Sequence, residues 1–360
     1  MMKYSHSKPR LLFLYTELSG YFLACLKELR QIDDFEIYVI HWDINKEAPF
    51  SFSFPEHIKF YPKNLIEIGE LAKKIESFEP DFVYCSGWLD KDYLKIISRF
   101  KKKIPTVIGV DTPWQNRIKQ YVACFLSYFT LQKIFTHCWV PGERQEKYAL
   151  KLGFKKQNIK TGIYAADFEY YNQLGLKYAD DKKKMFPRRF IYVGRYTFLK
   201  GLPDLWAAFI EWKKETSSNW ELWCLGTGNL NPIEFDGIKH FGFVQPSDME
   251  KFIQETGVFI LPSHFEPWGV VLHEFAAAGF PLICSDAVGA SEAFVRNGKN
   301  GFIFKKGNIN VIKECFIKIA SLKDEELIQM GNTSSELAHT ITPHTWAETV
   351  VSILTEYKSE

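Results

Sequence analysis

The chain alternates between two hydrophobic periods. Short apolar runs end in turn residues: "RLLFLYT", "FEIYVIHW", "DFVYCSG", "IPTVIGV" and "THCWVP". Between them, apolar positions recur at helical spacing over residues 20–31, 64–77, 90–102 and 113–134. Strands alternating with helices in this way predict βαβ units around a parallel sheet. Residues 168–187, "FEYYNQLGLKYADDKKKMFP", interrupt the alternation. They are polar, lysine-rich and closed by proline, and read as a linker. The pattern resumes with "RFIYVGR", a helix from Pro203, "WELWCLG", "IKHFGFV", a helix near 247–254, "VFILPS", a helix near 270–279, "PLICSD" and "NGFIF". The expectation is an α/β chain of two doubly wound, Rossmann-like domains, residues 1–167 and 188–342, joined by the linker. Ligands of open parallel sheets bind beyond the carboxyl ends of the strands. The expected site is therefore the cleft between the two domains.

Length agrees with this division, since 360 residues exceed one typical core. The formal net charge of +2 gives no signal for nucleic acid. The seven cysteines are scattered and form no C-x-x-C pair, which points to free thiols in a reducing compartment rather than a disulfide framework or zinc site. The N-terminal "MMKYSHSKPRLLFLY" has an apolar run too short for a signal peptide. No stretch reaches the ~18 apolar residues of a membrane span. The expected location is cytoplasmic, admitting peripheral contact with the inner face of a membrane.

Chemistry concentrates where strands run into helices. In "HFEPWGVVLHEF", Glu266 and Glu274 flank an apolar run with no lysine or arginine between them. Pro267 and Gly269 keep the segment before Val270 from being helical, so Glu266 belongs to a loop and Glu274 to the following helix. That helix presents free N–H groups and a positive dipole end to an anion. Helix capping by Glu266 and simple exposure of Glu274 are the plain alternatives. In "YVGRYTFLKGLPDL", Arg195 and Lys200 share a loop flanked by Gly194 and Gly201, with Pro203 suited to the next helix's first turn. Two cations on such a loop outline a diphosphate site. "LWCLGTGN" adds Gly226 and Gly228 at another strand end.

Taken together these pieces resemble the retaining glycosyltransferases of family 4, which have the GT-B fold. The matching stretches are G-R-x4-K-G at 194–201, G-T-G at 226–228, "FGFV" at 241–244, E-x7-E from Glu266 to Glu274, and "GASEAFVRNGKNGFIF" at 289–304. They cover most of the second domain; the first is similar only in pattern. The resemblance implies transfer of a sugar, with retention, from a nucleotide-diphosphate sugar such as a UDP- or GDP-sugar. The implied acceptor is a glycan or lipid-linked glycan in surface-polysaccharide assembly, and neither metal nor other cofactor is expected. Arg195 and Lys200 would hold the diphosphate and stabilise the leaving group. Glu274 would accept hydrogen bonds from ribose hydroxyls. Glu266, with the backbone N–H groups of Pro267, Trp268, Gly269 and Val270, would bind the donor sugar. Phe243 and Val244 would lie near the base, and Gly20 would let backbone approach the phosphates. On this account the two glutamates are uncompensated because ligand hydroxyls are their partners. Residues 343–360 resemble the C-terminal helix that crosses back to the first domain. One departure stands out: many relatives carry a histidine after the strand "IPTVIGV", where this chain has Asp111. Asp111 either contacts a sugar hydroxyl or helps activate the acceptor, or it caps the following helix.

Other residues have plainer readings. Asp90 and Asp92 match a metal-binding D-x-D by letters, but they open a predicted helix and are expected to cap it. His273 and His137 are expected to pack. Trp88 ends a strand and is read either as packed or as stacking on an acceptor sugar. Residues 117–135, "RIKQYVACFLSYFTLQKIF", are read as a helix packed on the first sheet, with a membrane-surface helix as the alternative. A nucleotide-sugar epimerase of the same architecture and a non-catalytic nucleotide-sugar binder are the rival functions. A dehydrogenase is disfavoured because "YTELSGY" stands where a G-x-G-x-x-G would follow the first strand.

Overall fold

The computed structural model describes residues 8–43, 50–100 and 103–359. The start of the N-terminal segment and the end of the helix expected over 90–102 lie outside the described residues. The chain divides into two compact units: the described residues up to Ala165 together with Pro343 onward, and Ala166–Thr342.

The first unit runs β1 (Arg10–Tyr15), α1 (Gly20–Ile32), β2 (Glu36–His41), β3 (Ile58–Pro62), α2 (Ile68–Phe78), β4 (Phe82–Cys85), α3 (Lys91–Ile97), β5 (Thr106–Gly109), α4 (Ile118–Ser127), α5 (Leu131–Ile134), β6 (His137–Trp139), α6 (Glu143–Lys151) and β7 (Ile159–Lys160). Its strands pair in the order β3-β2-β1-β4-β5-β6-β7, all parallel. Central strands are buried on both faces, which is why β1, β4 and β5 read as unbroken apolar runs.

The second unit runs α7 (Phe168–Lys184), β8 (Arg189–Val193), α8 (Leu202–Thr216), β9 (Glu221–Leu225), β10 (Ile238–His240), α9 (Glu250–Glu255), β11 (Val258–Leu261), α10 (Val270–Ala277), β12 (Leu282–Ser285), α11 (Ser291–Phe294), β13 (Gly301–Phe304), α12 (Ile309–Ser321) and α13 (Asp324–Ala338). The parallel order is β10-β9-β8-β11-β12-β13. Strand order reverses between β8 and β11, so the loops leaving these two strands flank the crevice where open sheets hold ligands. The chain then returns to the first unit as α14 (Pro343–Ser359). Trp346 on α14 is buried and stacks on Trp139, with centroids 4.9 Å apart.

Two expectations need correction. Residues 168–187 are no linker: most of them form α7, which buries Phe168, Tyr171 and Leu174 on one face. Asp167 caps it by accepting from the Tyr170 N–H at 3.3 Å. The lysines that suggested a linker occupy its last turn, where cations suit the helix dipole. The helix expected over 113–134 is shorter and broken into α4 and α5. Arg117, not Asp111, occupies the N-cap of α4. Asp111 therefore caps no helix. The short strands β3 and β7 were not foreseen.

Candidate active site

In the second unit the loop leaving β8 carries Gly194, Arg195 and Lys200. The loop leaving β11 carries Ser263 through Gly269. A glycine fixes the turn into α8. Gly201 has φ +72°, and a Cβ there would lie 2.1 Å from the Pro262 carbonyl oxygen. Only glycine lets the two loops approach this closely. The amides of His264 and Phe265 then donate to the Leu199 carbonyl at 2.8 and 3.4 Å.

This approach brings Lys200 onto Glu266. The ammonium hydrogen-bonds and ion-pairs with the carboxylate, and their side chains are 19% and 12% exposed. Ser263 Oγ donates to the same oxygen at 3.3 Å. The expectation that Glu266 lacks a compensating cation is thus corrected: its partner comes from the other loop, far away in sequence. Beside the pair, His264 Nε2 lies 2.6 Å from Asp204 Oδ2, and Lys306 Nζ donates to the His264 carbonyl at 3.0 Å.

Gly226 and Gly228 belong to the same end of the sheet. Gly226 has φ +134°, and its missing Cβ would lie 1.9 Å from the Gly194 carbonyl oxygen. The loop after β9 can therefore lie flat on Gly194 and Tyr196. The Tyr196 amide donates to Thr227 O at 2.8 Å, and Tyr196 bridges Gly228. The Gly226 amide reaches the Gly242 carbonyl at 2.6 Å, which sets Phe243 and Val244 next to this loop. Arg195 is exposed.

Pro267 has no backbone N–H, so the donors at the start of α10 come from Trp268, Gly269 and Val270. The Trp268 side chain is buried and packs edge-on against Phe294, 6.1 Å away, leaving only its backbone for a ligand. Glu274, on α10, is half-buried. Burial pushes its carboxyl up to about 7, a hydrogen bond from Tyr171 pulls the other way, and Asp167 adds to the rise. No cation is among its partners in the described residues. Glu274, unlike Glu266, is uncompensated.

The remaining candidates lie in the first unit. Asp111 is exposed, with the Tyr164 hydroxyl 3.4 Å from Oδ2 and its backbone carbonyl accepting from Gln145 at 3.0 Å. Gly20 opens α1, and a Cβ added there would meet nothing within 4 Å. The fold does not require glycine at that position. Asp90 caps α3 by accepting from the amides of Asp92 and Tyr93, and both aspartates pair with Lys63. His273 is buried between the Ala166 N–H and the Ala338 carbonyl, and burial lowers it to about 4. His137 is buried against Thr136, and burial again lowers it to about 4. Trp88 is half-buried and packs edge-on against Tyr148. Sequence reasoning missed Tyr171, Ser263 and the Asp204–His264 pair. His264 and Asp204 each stood inside a quoted motif, but nothing local paired them.

Comparison with known proteins finds relatives for this end of the molecule. The family model for glycosyl transferases group 1 matches residues 178–336. Over 262 residues the chain is 29% identical to a glycogen synthase of Mycobacterium tuberculosis, covering 66% of this chain and 60% of that one. It is 31% identical over 193 residues to the capsular polysaccharide biosynthesis glycosyltransferase CapM of Staphylococcus aureus, covering 49% and 46% of the two chains. The matched segments thus span about half of each relative. Anabaena Alr3699/HepE, solved in complex with UDP and glucose, superposes with a TM-score of 0.68 at 15% identity, covering 97% of this chain and 100% of that one. The chain has the two-domain GT-B fold, and its residues 178–336 are similar to the glycosyl transferases group 1 family.

Proposed function

We propose that the protein is a glycosyltransferase that moves a sugar from a nucleotide-diphosphate sugar to a glycan or lipid-linked acceptor in polysaccharide assembly. The observation that carries this reading is the Lys200–Glu266 pair at the β8–β11 reversal, with Arg195 on the same loop as Lys200. Breaking the bond between the sugar's anomeric carbon and the diphosphate leaves negative charge on the diphosphate. Arg195 and Lys200 lie where they stabilise that charge, and Lys200 is already held in place by Glu266. A pre-positioned cation of this kind costs no reorganisation during the reaction. Glu266, with the N–H groups at the start of α10, takes the donor sugar's hydroxyls, and its carboxylate favours the positive charge that develops at the anomeric carbon. Glu274 accepts from the ribose. Phe243 and Val244 border the base, and Gly226 and Gly228 let the chain approach the phosphates. Gly20 keeps space open at the start of α1, and Asp111 contacts a sugar hydroxyl. Retention of configuration, membership of family 4, independence of metals and other cofactors, and a UDP- or GDP-sugar donor belong to the same proposal. So does a cytoplasmic location, which is compatible with the lack of any helix among the described residues long and apolar enough to cross a membrane.

The test is thermal stabilisation by a panel of UDP-, GDP- and ADP-sugars, with Glu274→Ala and Arg195→Ala alongside. A ligand that binds only the folded state raises its stability by mass action. The expected result is a shift by one nucleotide class that both variants lose. A shift that both variants keep moves the donor elsewhere, and no shift with any nucleotide sugar removes the proposal's support.

A further inference from the structure

Helix α4 in the first unit is inside out. Its buried positions are polar: Gln120 Nε2 donates to the Pro113 carbonyl at 2.9 Å, and Ser127 Oγ donates to the Leu152 carbonyl at 2.8 Å. Its apolar stripe faces solvent. Ile118, Tyr121, Val122, Phe125 and Leu126, with Phe129 in the turn just after the helix, recur at helical spacing, and all are exposed, Ile118 at 83% and Phe125 at 69%. A surface helix normally turns such a stripe toward the core, and contiguous exposed apolar patches mark interaction surfaces. The packing expected from the sequence holds for one side of the segment: Cys124 of α4, with Leu131, Ile134 and Phe135 beyond it, lies in or against the first unit's core, and Gln120 and Ser127 are buried beside them, while the stripe faces outward.

The charge around the stripe selects its partner. Arg117, Lys119 and Lys133 are exposed beside it, and the sequence has no carboxylate from Thr112 to Gly142. Lys151 joins from α6, its ammonium 4.8 Å from the centre of the Trp114 ring, which in turn packs edge-on against Tyr121. We infer that α4 docks flat on an anionic lipid surface, with the stripe in the headgroup–acyl boundary and the cations over the headgroups. Lysine and arginine reach headgroups while their stems cover apolar surface, and ten residues of helix are far too few to span a bilayer. A second copy of the chain fits less well, because two such faces would oppose cation to cation with no carboxylate between.

The test needs no enzymatic activity and is independent of the donor-site reading. The full-length protein is floated with vesicles of phosphatidylglycerol and phosphatidylcholine in equal parts, and with phosphatidylcholine alone. Binding is expected to the anionic vesicles and to weaken with salt. Phe125→Ser with Phe129→Ser is expected to lose about tenfold or more. Arg117→Glu with Lys119→Glu is expected to lose about fivefold or more per cation. These positions are exposed, so both variants should melt with the wild type. The charge variant carries the test should the serine variant fail to fold. No flotation, equal flotation on neutral vesicles, or flotation that survives the charge variant overturns the inference. A dimer in sedimentation velocity that the serine variant dissociates would instead assign the face to a second copy.

Discussion

Lys200 and Glu266 stand 66 positions apart in the sequence, and each neutralises the other. Removing one leaves a mostly buried charge unpaired, which costs more than the pair itself contributes. Lys200→Ala is expected to lower kcat/KM by about a hundredfold or more and to destabilise the second unit by about 1–3 kcal/mol. Combining it with Glu266→Gln should cost less than the sum of the two single changes, and chemical denaturation of the four proteins checks this. Glu274 gives a pH signature. Its folded-state pKa of about 7 exceeds the ordinary glutamate value of 4.5. Between those values the native state binds more protons than the unfolded one, so its contribution to stability falls as pH rises. Buried His273 and His137, both lowered to about 4, act with the opposite sign. The difference between wild type and Glu274→Gln isolates the glutamate. The variant is expected to gain on the wild type from about pH 4.5 to 7, by on the order of 1–3 kcal/mol at pH 8. Equal melting curves at every pH would refute this. The glycine-flanked cations and the two glutamates were legible at this scale, because their residue types are unusual at a strand-to-helix turn. Their partners were not: neither Lys200 for Glu266 nor Asp204 for His264 leaves a local trace, since loop–loop approach sets the pairing.

Among the elements, the turn into α8 is the most sharply constrained. Gly201→Ala would add an unfavourable backbone conformation and a clash with the Pro262 carbonyl. A loss of about 1–3 kcal/mol is expected, with weaker donor binding as Lys200 shifts. Differential scanning fluorimetry with and without the nucleotide sugar would read both effects. Central strands were legible because burial on both faces demands unbroken apolar runs. Edge elements were less so: β3 mixes lysine, tyrosine and proline, and β7 is two residues long. The mistaken linker has a specific cause. Most lysines and aspartates of α7 lie on its solvent side, where Lys183 pairs with Asp180 at 2.9 Å; Lys182 turns instead onto the Phe280 ring, 3.7 Å from its centre. Its buried face amounts to Phe168, Tyr171 and Leu174. Composition outweighed that sparse stripe, although the cap at Asp167 and the basic last turn were both in the sequence.

At the scale of the molecule, the first unit draws on chain segments from either side of the second. Trp346 fills its core beside Trp139 and Phe13. Trp346→Ala is expected to cost about 3–5 kcal/mol. In a two-unit protein the loss should fall on one transition: the melting step of the first unit should move down while that of the second stays. Near-UV circular dichroism, to which the stacked Trp139 and Trp346 contribute, would follow the first step. The GT-B plan itself was legible because two rounds of strand–helix alternation can hardly form anything but two parallel sheets. The outward apolar stripe of α4 was not, since periodicity alone does not say which face turns inward.

The return of α14 also sets an order of events during translation. The ribosome must finish Ala166–Thr342 before α14 emerges. At about 5–20 residues per second that takes on the order of ten seconds or more. Throughout that interval the nascent first unit lacks the helix that covers Phe13 and Trp139, while the later unit can complete its own core. The half that is made first is therefore the half that finishes last, and it is the one on which nascent-chain chaperones should be found.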